Sequence, residues 1–121
     1  MTDEKNFVAV VELLAEGWRM NQFMEKFAAR ILDEKIRRKF SNQVTRFDKK
    51  ISALTETFGL EIVDFTGAEF ETGLPVAPIN LADFAADEDL IVETMIEPTI
   101  KVANSTEIVR RGAAVLRRQV K

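Results

Sequence analysis

The densest set of side chains able to do chemistry is "DFAADED" at residues 83–89, where Asp83, Asp87, Glu88 and Asp89 fall within a single short stretch. Carboxylates this close together can hold a hard cation or share a proton. A calcium loop, however, needs a twelve-residue layout with a central glycine, and this segment has neither. It reads as a solvated acidic loop. A second cluster, "KIRRK" at 35–39, offers cations that could meet phosphates. Ile36 and Phe40 interrupt and follow it, so the cations read as the solvated face of a helix whose other face is apolar. The glycines stand apart at 17, 59, 67, 73 and 112, which excludes a glycine-rich phosphate loop.

The missing residue types narrow the chemistry further. The chain has no cysteine, histidine or tyrosine. The commonest general base, the commonest zinc ligand and the phenol acid are therefore absent, as are disulfides and thiolate chemistry. An enzyme would have to work with Asp, Glu, Lys, Ser or Thr. No catalytic residue, metal ligand or cofactor is assigned, and the chain reads as a non-enzyme. Apolar residues make up 46% and charged residues 31%, the composition of an ordered chain rather than a disordered one. No apolar run reaches bilayer length, and "MTDEKNF" lacks the basic-then-apolar layout of a signal peptide, so no membrane partner and a cytoplasmic location are expected.

Charge is segregated along the chain. Residues 18–50 hold ten Lys/Arg against four Asp/Glu, residues 61–97 hold ten Asp/Glu and no Lys or Arg, and residues 98–121 hold six bases against one acid. Such blocks speak to surfaces and partners rather than to fold. The acidic block, and the lack of aromatics among the bases, argue against nucleic acid as a partner.

The elements that must carry these charges follow from periodicity. In "FSNQVTRFDKKISALTETF" at 40–58, Phe40, Val44, Phe47, Ile51, Leu54 and Phe58 are spaced 4, 3, 4, 3, 4, one stripe down a helix. Upstream, Phe7, Val8, Val11, Leu14 and Ala15 share a face of a helix over 3–16, which Gly17 is expected to end. From Trp18 to Phe58 neither Gly nor Pro intervenes, which predicts one long helix bent near 33–39. A short helix cannot cover a long one, so much of the stripe calls for a second chain, and a homodimeric coiled coil or bundle is expected through the six stripe residues. After Gly59 the character changes. "LEIVDF" at 60–65, "LIVETMIE" at 90–97, the pair "TIKVA" and "EIVRR" around "NST", and "AAVLRRQV" at 113–120 read as strands, with 74–89 an extended loop. The expected class is α+β: a helical dimerisation region at 1–59 and a small antiparallel β domain at 60–121.

Taken in order, "ISALTETFGLEIVDFTGAEFETGLPV" and "LIVETMIEPTIKVANSTEIVRRGAAVLRR" resemble the end of a GrpE-type nucleotide exchange factor. In that family a bundle helix closes with a pattern like L-x-x-F-G-V-E. A short strand and G-E-x-F-D-P follow, then a strand like V-V-E-V-L, and the chain closes with V-L-R-P-A-x-V-x-V. The resemblance covers about residues 47–118. It departs where "ETGLPVAP" replaces an acidic-proline-histidine segment and where "RRGAAV" needs a one-residue shift. It implies a dimeric co-chaperone that binds the nucleotide-binding domain of a DnaK-type chaperone and promotes ADP release without a cofactor. Arg110 then matches the arginine of L-R-P-A, and Arg111, Met95 and Glu97 join it as partner-binding residues. The alternative is a non-catalytic dimeric adaptor that holds a basic protein through the acidic block.

Overall fold

The structure, a computed structural model, describes residues 2–120. The chain is α+β and divides into two compact units, Met1–Leu60 and Glu61–Lys121.

The first unit is a helical hairpin of α1 (Thr2–Ala28) and α2 (Glu34–Thr57). The expected break at Gly17 and the single helix over 18–58 are both overturned. Gly17 lies inside α1, and the chain reverses at 29–33. Two local features make the reversal. The last turn of α1 tightens, with Arg30 N–H donating to the Phe27 carbonyl at 2.9 Å and Ile31 N–H to Ala28 at 3.2 Å. Asp33 then caps α2, its carboxylate accepting from Ile36 N–H at 3.0 Å. The charged run expected to bend the helix is thus where the second helix begins. At its far end α2 stops at Gly59, whose φ of 67° is the left-handed conformation that glycine adopts without strain.

At 1.5 Å per residue α1 is about 40 Å long and α2 about 36 Å, so each covers the other. The contacts run antiparallel: Gly17 faces Ile51, Asn21 meets Asp48, and Phe27 meets Phe40 edge-on at 5.7 Å between ring centroids. The interface buries Val11, Leu14, Ala15 and Ala28 from α1 against Val44, Ile51 and Thr55 from α2. A glycine serves here because a Cβ at position 17 would lie 2.5 Å from the Ile51 Cδ1. Asn21, 2% exposed, donates to the Asp48 carboxylate at 3.2 Å, a polar contact inside an otherwise apolar seam.

The second unit holds two three-stranded sheets. Its strands are β1 (Leu60–Val63), β2 (Val76–Pro78), β3 (Leu90–Glu97), β4 (Thr99–Val102), β5 (Ile108–Arg110) and β6 (Gly112–Arg118). One sheet has the order β1-β4-β5, the other β2-β6-β3. β4 and β5 form the expected antiparallel hairpin, turned through Asn104 at φ 59°. The expectation of antiparallel pairing throughout needs correction, because β2 runs parallel to β6 and the second sheet is mixed. β2 itself lies in the segment expected to be loop. Beyond it, Asn80 continues the pairing with its side chain: the amide donates to the Leu116 carbonyl at 2.9 Å and accepts from Leu116 N–H at 2.8 Å.

Val76, Val92, Thr99, Ile100, Ala114 and Leu116, each at most 1% exposed, form the core of this unit. The one hydroxyl among them is satisfied, since Thr99 Oγ1 donates to the Pro75 carbonyl at 2.8 Å and accepts from Gly112 N–H at 3.2 Å. Two irregularities in the β3–β6 register, at Val92/Thr94 and Met95/Glu97, break the alternation of β3.

Candidate functional site

The partner-binding residues suggested by the sequence gather where β3, β5 and β6 meet. Arg110 reaches Glu97 at 3.3 Å, with its side chain only 16% exposed. Arg111 is exposed but donates to the Val76 carbonyl at 3.1 Å, which ties it to the end of β2. Met95 is buried, its Cε facing the Cα of Gly112. Of the four, Glu97 and Arg111 present the most to solvent, while Arg110 sits as a half-buried cation beside a carboxylate. Lys101 and Glu61 form a second pair of this kind at 3.3 Å. The cations of the β4–β5 hairpin are thus balanced by the acidic block that precedes them in sequence.

The six stripe residues of α2 divide. Val44 and Ile51 are buried against α1, Phe40 and Phe47 are half-buried, and Leu54 and Phe58 are 39% and 44% exposed. The stripe's first partner is therefore α1 of the same chain, which removes the helix-length argument for a second chain. A different surface takes its place. Leu13, Met20 and Phe23 on α1 are 70%, 42% and 63% exposed. At 100° per residue they occupy one arc, on the side of α1 roughly opposite Val11, Leu14, Ala15 and Ala28. α1 is apolar on two faces, and only one of them is covered by α2. The spacing 7, 3 of these residues was visible in the sequence.

The two charged clusters behave differently. In "KIRRK" Arg38 pairs weakly with Glu34 at 3.8 Å and Arg37 caps the Ile31 carbonyl at 3.4 Å, all on an exposed turn of α2. The acidic loop 83–89 folds back on the end of β6. Glu88 accepts from Arg118 at 2.7 Å and from Ala85 N–H at 3.0 Å, and the Arg118 guanidinium stands 5.1 Å from the Phe84 ring centroid. The Arg118 hydrogen bond, then the Ala85 N–H, hold the Glu88 carboxyl below the ordinary glutamate value. Among the described residues no group of three or more acidic side chains could hold a metal ion, and no helix is long and apolar enough to cross a membrane. No protein-family model, curated protein or solved structure matches the chain.

Proposed function

We propose that the protein is a dimeric co-chaperone of the GrpE type, which binds the nucleotide-binding domain of a DnaK-type chaperone and promotes ADP release. One observation carries the reading. α2 ends at Phe58–Gly59 and passes without a linker into β1, and the strands that follow close on β6, the order in which the family's motifs run from bundle helix to β domain. Mechanistically this is differential binding. A factor that holds the open cleft more tightly than the closed one lowers nucleotide affinity by the same factor. Such a role needs no catalytic side chain, in keeping with a chain that lacks Cys, His and Tyr.

The dimer in this proposal uses the second apolar face of α1. Two copies laid face to face would bury Leu13, Met20 and Phe23 in a four-helix bundle. Each large side chain taken out of water contributes about 1.5–3 kcal/mol, so the face has reason to be covered.

The test has two arms. Release of a fluorescent ADP analogue from a DnaK-type chaperone should accelerate on mixing with the protein, and no acceleration at saturating protein would reject the exchange reading. Sedimentation should show a dimer that Met20→Lys/Phe23→Glu converts to a folded monomer, since both positions are already exposed to solvent. A wild type that sediments as a monomer at micromolar concentration rejects the dimer.

A further inference from the structure

Within the β unit a cleft of about 450 Å³ opens between residues 70–72 and the loop 81–90, floored by Phe70, Leu81 and Phe84. A second hollow of about 400 Å³ shares Phe70, Glu71 and Glu88 with it and adds Glu69 and Asp89. Together they form one groove with an apolar floor and a carboxylate rim. No Lys or Arg lines either hollow. Glu69 and Glu71 have no ion-pair partner among the described residues. The chain itself shows what such a lining holds: at one end Arg118 lies between the Phe84 ring and the Glu88 carboxylate. An aromatic face and a carboxylate acting together on a guanidinium combine cation–π attraction with a charge-assisted hydrogen bond.

We propose that this groove docks an extended segment of a partner protein in which arginine or lysine alternates with apolar side chains. Three features select that occupant. The carboxylates match cations and repel the phosphates of nucleic acids and anionic lipids. The floor of Phe70, Leu81 and Phe84 rewards an apolar side chain beside the cation. The edge of β3 next to the groove is already paired, with Gly67 N–H on the Val92 carbonyl at 2.8 Å, Val92 N–H on Ala68 at 2.9 Å and Phe70 N–H on Leu90 at 2.9 Å. Strand addition at that position is therefore blocked, and recognition falls to side chains. The inference holds whether or not the protein acts on a chaperone, because it rests on the groove alone.

The test uses the full chain and three fluorescein-labelled decapeptides: alternating Leu and Arg, alternating Leu and Glu, and alternating Gly and Arg. Anisotropy titration should show binding of the Leu/Arg peptide, with either control weaker by about tenfold or more. Amide shifts on binding should centre on Phe70, Glu71 and Leu90. Glu69→Lys/Glu71→Lys, at two exposed positions, should weaken binding by about tenfold or more while leaving the amide spectrum dispersed. Leu81→Ser, at a side chain 46% exposed, should weaken binding while leaving its salt dependence unchanged. No binding of the Leu/Arg peptide overturns the proposal. Equal binding of the Gly/Arg peptide, or undiminished binding by the Glu69→Lys/Glu71→Lys protein, also overturns it.

Discussion

Gly112→Ala should unfold the β unit more readily than its single added methyl suggests. A Cβ at position 112 would stand 2.7 Å from the Met95 Cε, 2.7 Å from the Thr99 Oγ1 and 2.8 Å from the Glu97 carbonyl oxygen. The methionine methyl can swing aside. The carbonyl belongs to β3, and moving it disturbs the pairing of Glu97 with Ala113. The hydroxyl is held on both sides, by the Pro75 carbonyl and by Gly112 N–H, so displacing it leaves a buried polar group without partners. Overpacking of this kind costs about 1–3 kcal/mol and an unsatisfied buried hydroxyl about 1–3 kcal/mol more. The entropy that alanine removes from the unfolded chain returns only about 0.4–1 kcal/mol. The net expectation is a loss of about 1–5 kcal/mol. Gly73→Ala is the control, because nothing lies within 4 Å of its Cβ position and its φ is not positive. It should change stability by no more than about 0.5 kcal/mol. Trp18 lies in α1 and reports on the other unit, so urea unfolding should be followed through the amide resonances of Ala114 and Leu116. A Gly112→Ala loss below about 1 kcal/mol would refute the reasoning, as would equal losses for the two variants.

Asp33→Ala should cost the helical unit about 1 kcal/mol by removing the cap on Ile36 N–H, while Asp33→Ser keeps most of it; urea unfolding followed by Trp18 fluorescence checks this. Glu88 should titrate below the range of glutamate in an unfolded chain, because Arg118 and Ala85 N–H favour its charged form. A depressed folded-state pKa means the contribution of the Glu88–Arg118 pair is fully present above the ordinary glutamate range and is lost as pH falls through the folded value. A carboxyl-carbon NMR titration whose midpoint is not depressed, or one unaffected by Arg118→Gln, would count against that pairing.

The parts of this fold legible in the sequence are those where one side chain has one job. The 4-3-4-3-4 stripe had to be a helix face, and "TIKVA-NST-EIVRR" had to turn, because period and turn chemistry each point one way. Gly17 misled because glycine ends helices through its backbone freedom and joins them through its missing side chain, and only the position of Ile51 tells the two apart. Once that glycine is read as a stop, α1 becomes too short to cover the stripe, and the stripe is left without a partner in its own chain. β2 was illegible for another reason. A three-residue strand bracketed by Pro75 and Pro78 carries no period, and its hydrogen bonds come from β6, more than thirty residues away. Met95 shows the same limit in the site. Two bulges in β3 decide which of its side chains turn inward, and bulges leave no mark in alternation. The acidic rim of the groove was visible as composition, but its apolar floor depends on how 70–72 and 81–90 come together.

The position of β6 has a consequence for synthesis. It is the central strand of its sheet, yet it is made after both strands it joins. The helical hairpin has all its contacts available once residue 57 has emerged. β2 must wait for β6 across the forty residues from Pro78 to Arg118, roughly 2–8 s at ordinary elongation rates. During that interval Val76, Leu90 and Val92, all buried in the finished protein, lack the strand that covers them. Residues 67–70 precede β3 and can bond to Leu90 and Val92 as soon as those residues appear, shielding one edge of the strand. The other edge stays open until the ribosome has delivered β6. A nascent chain held with β3 outside the ribosome and β6 still inside would therefore carry a formed hairpin and an unclosed sheet, the state in which it is most exposed to aggregation.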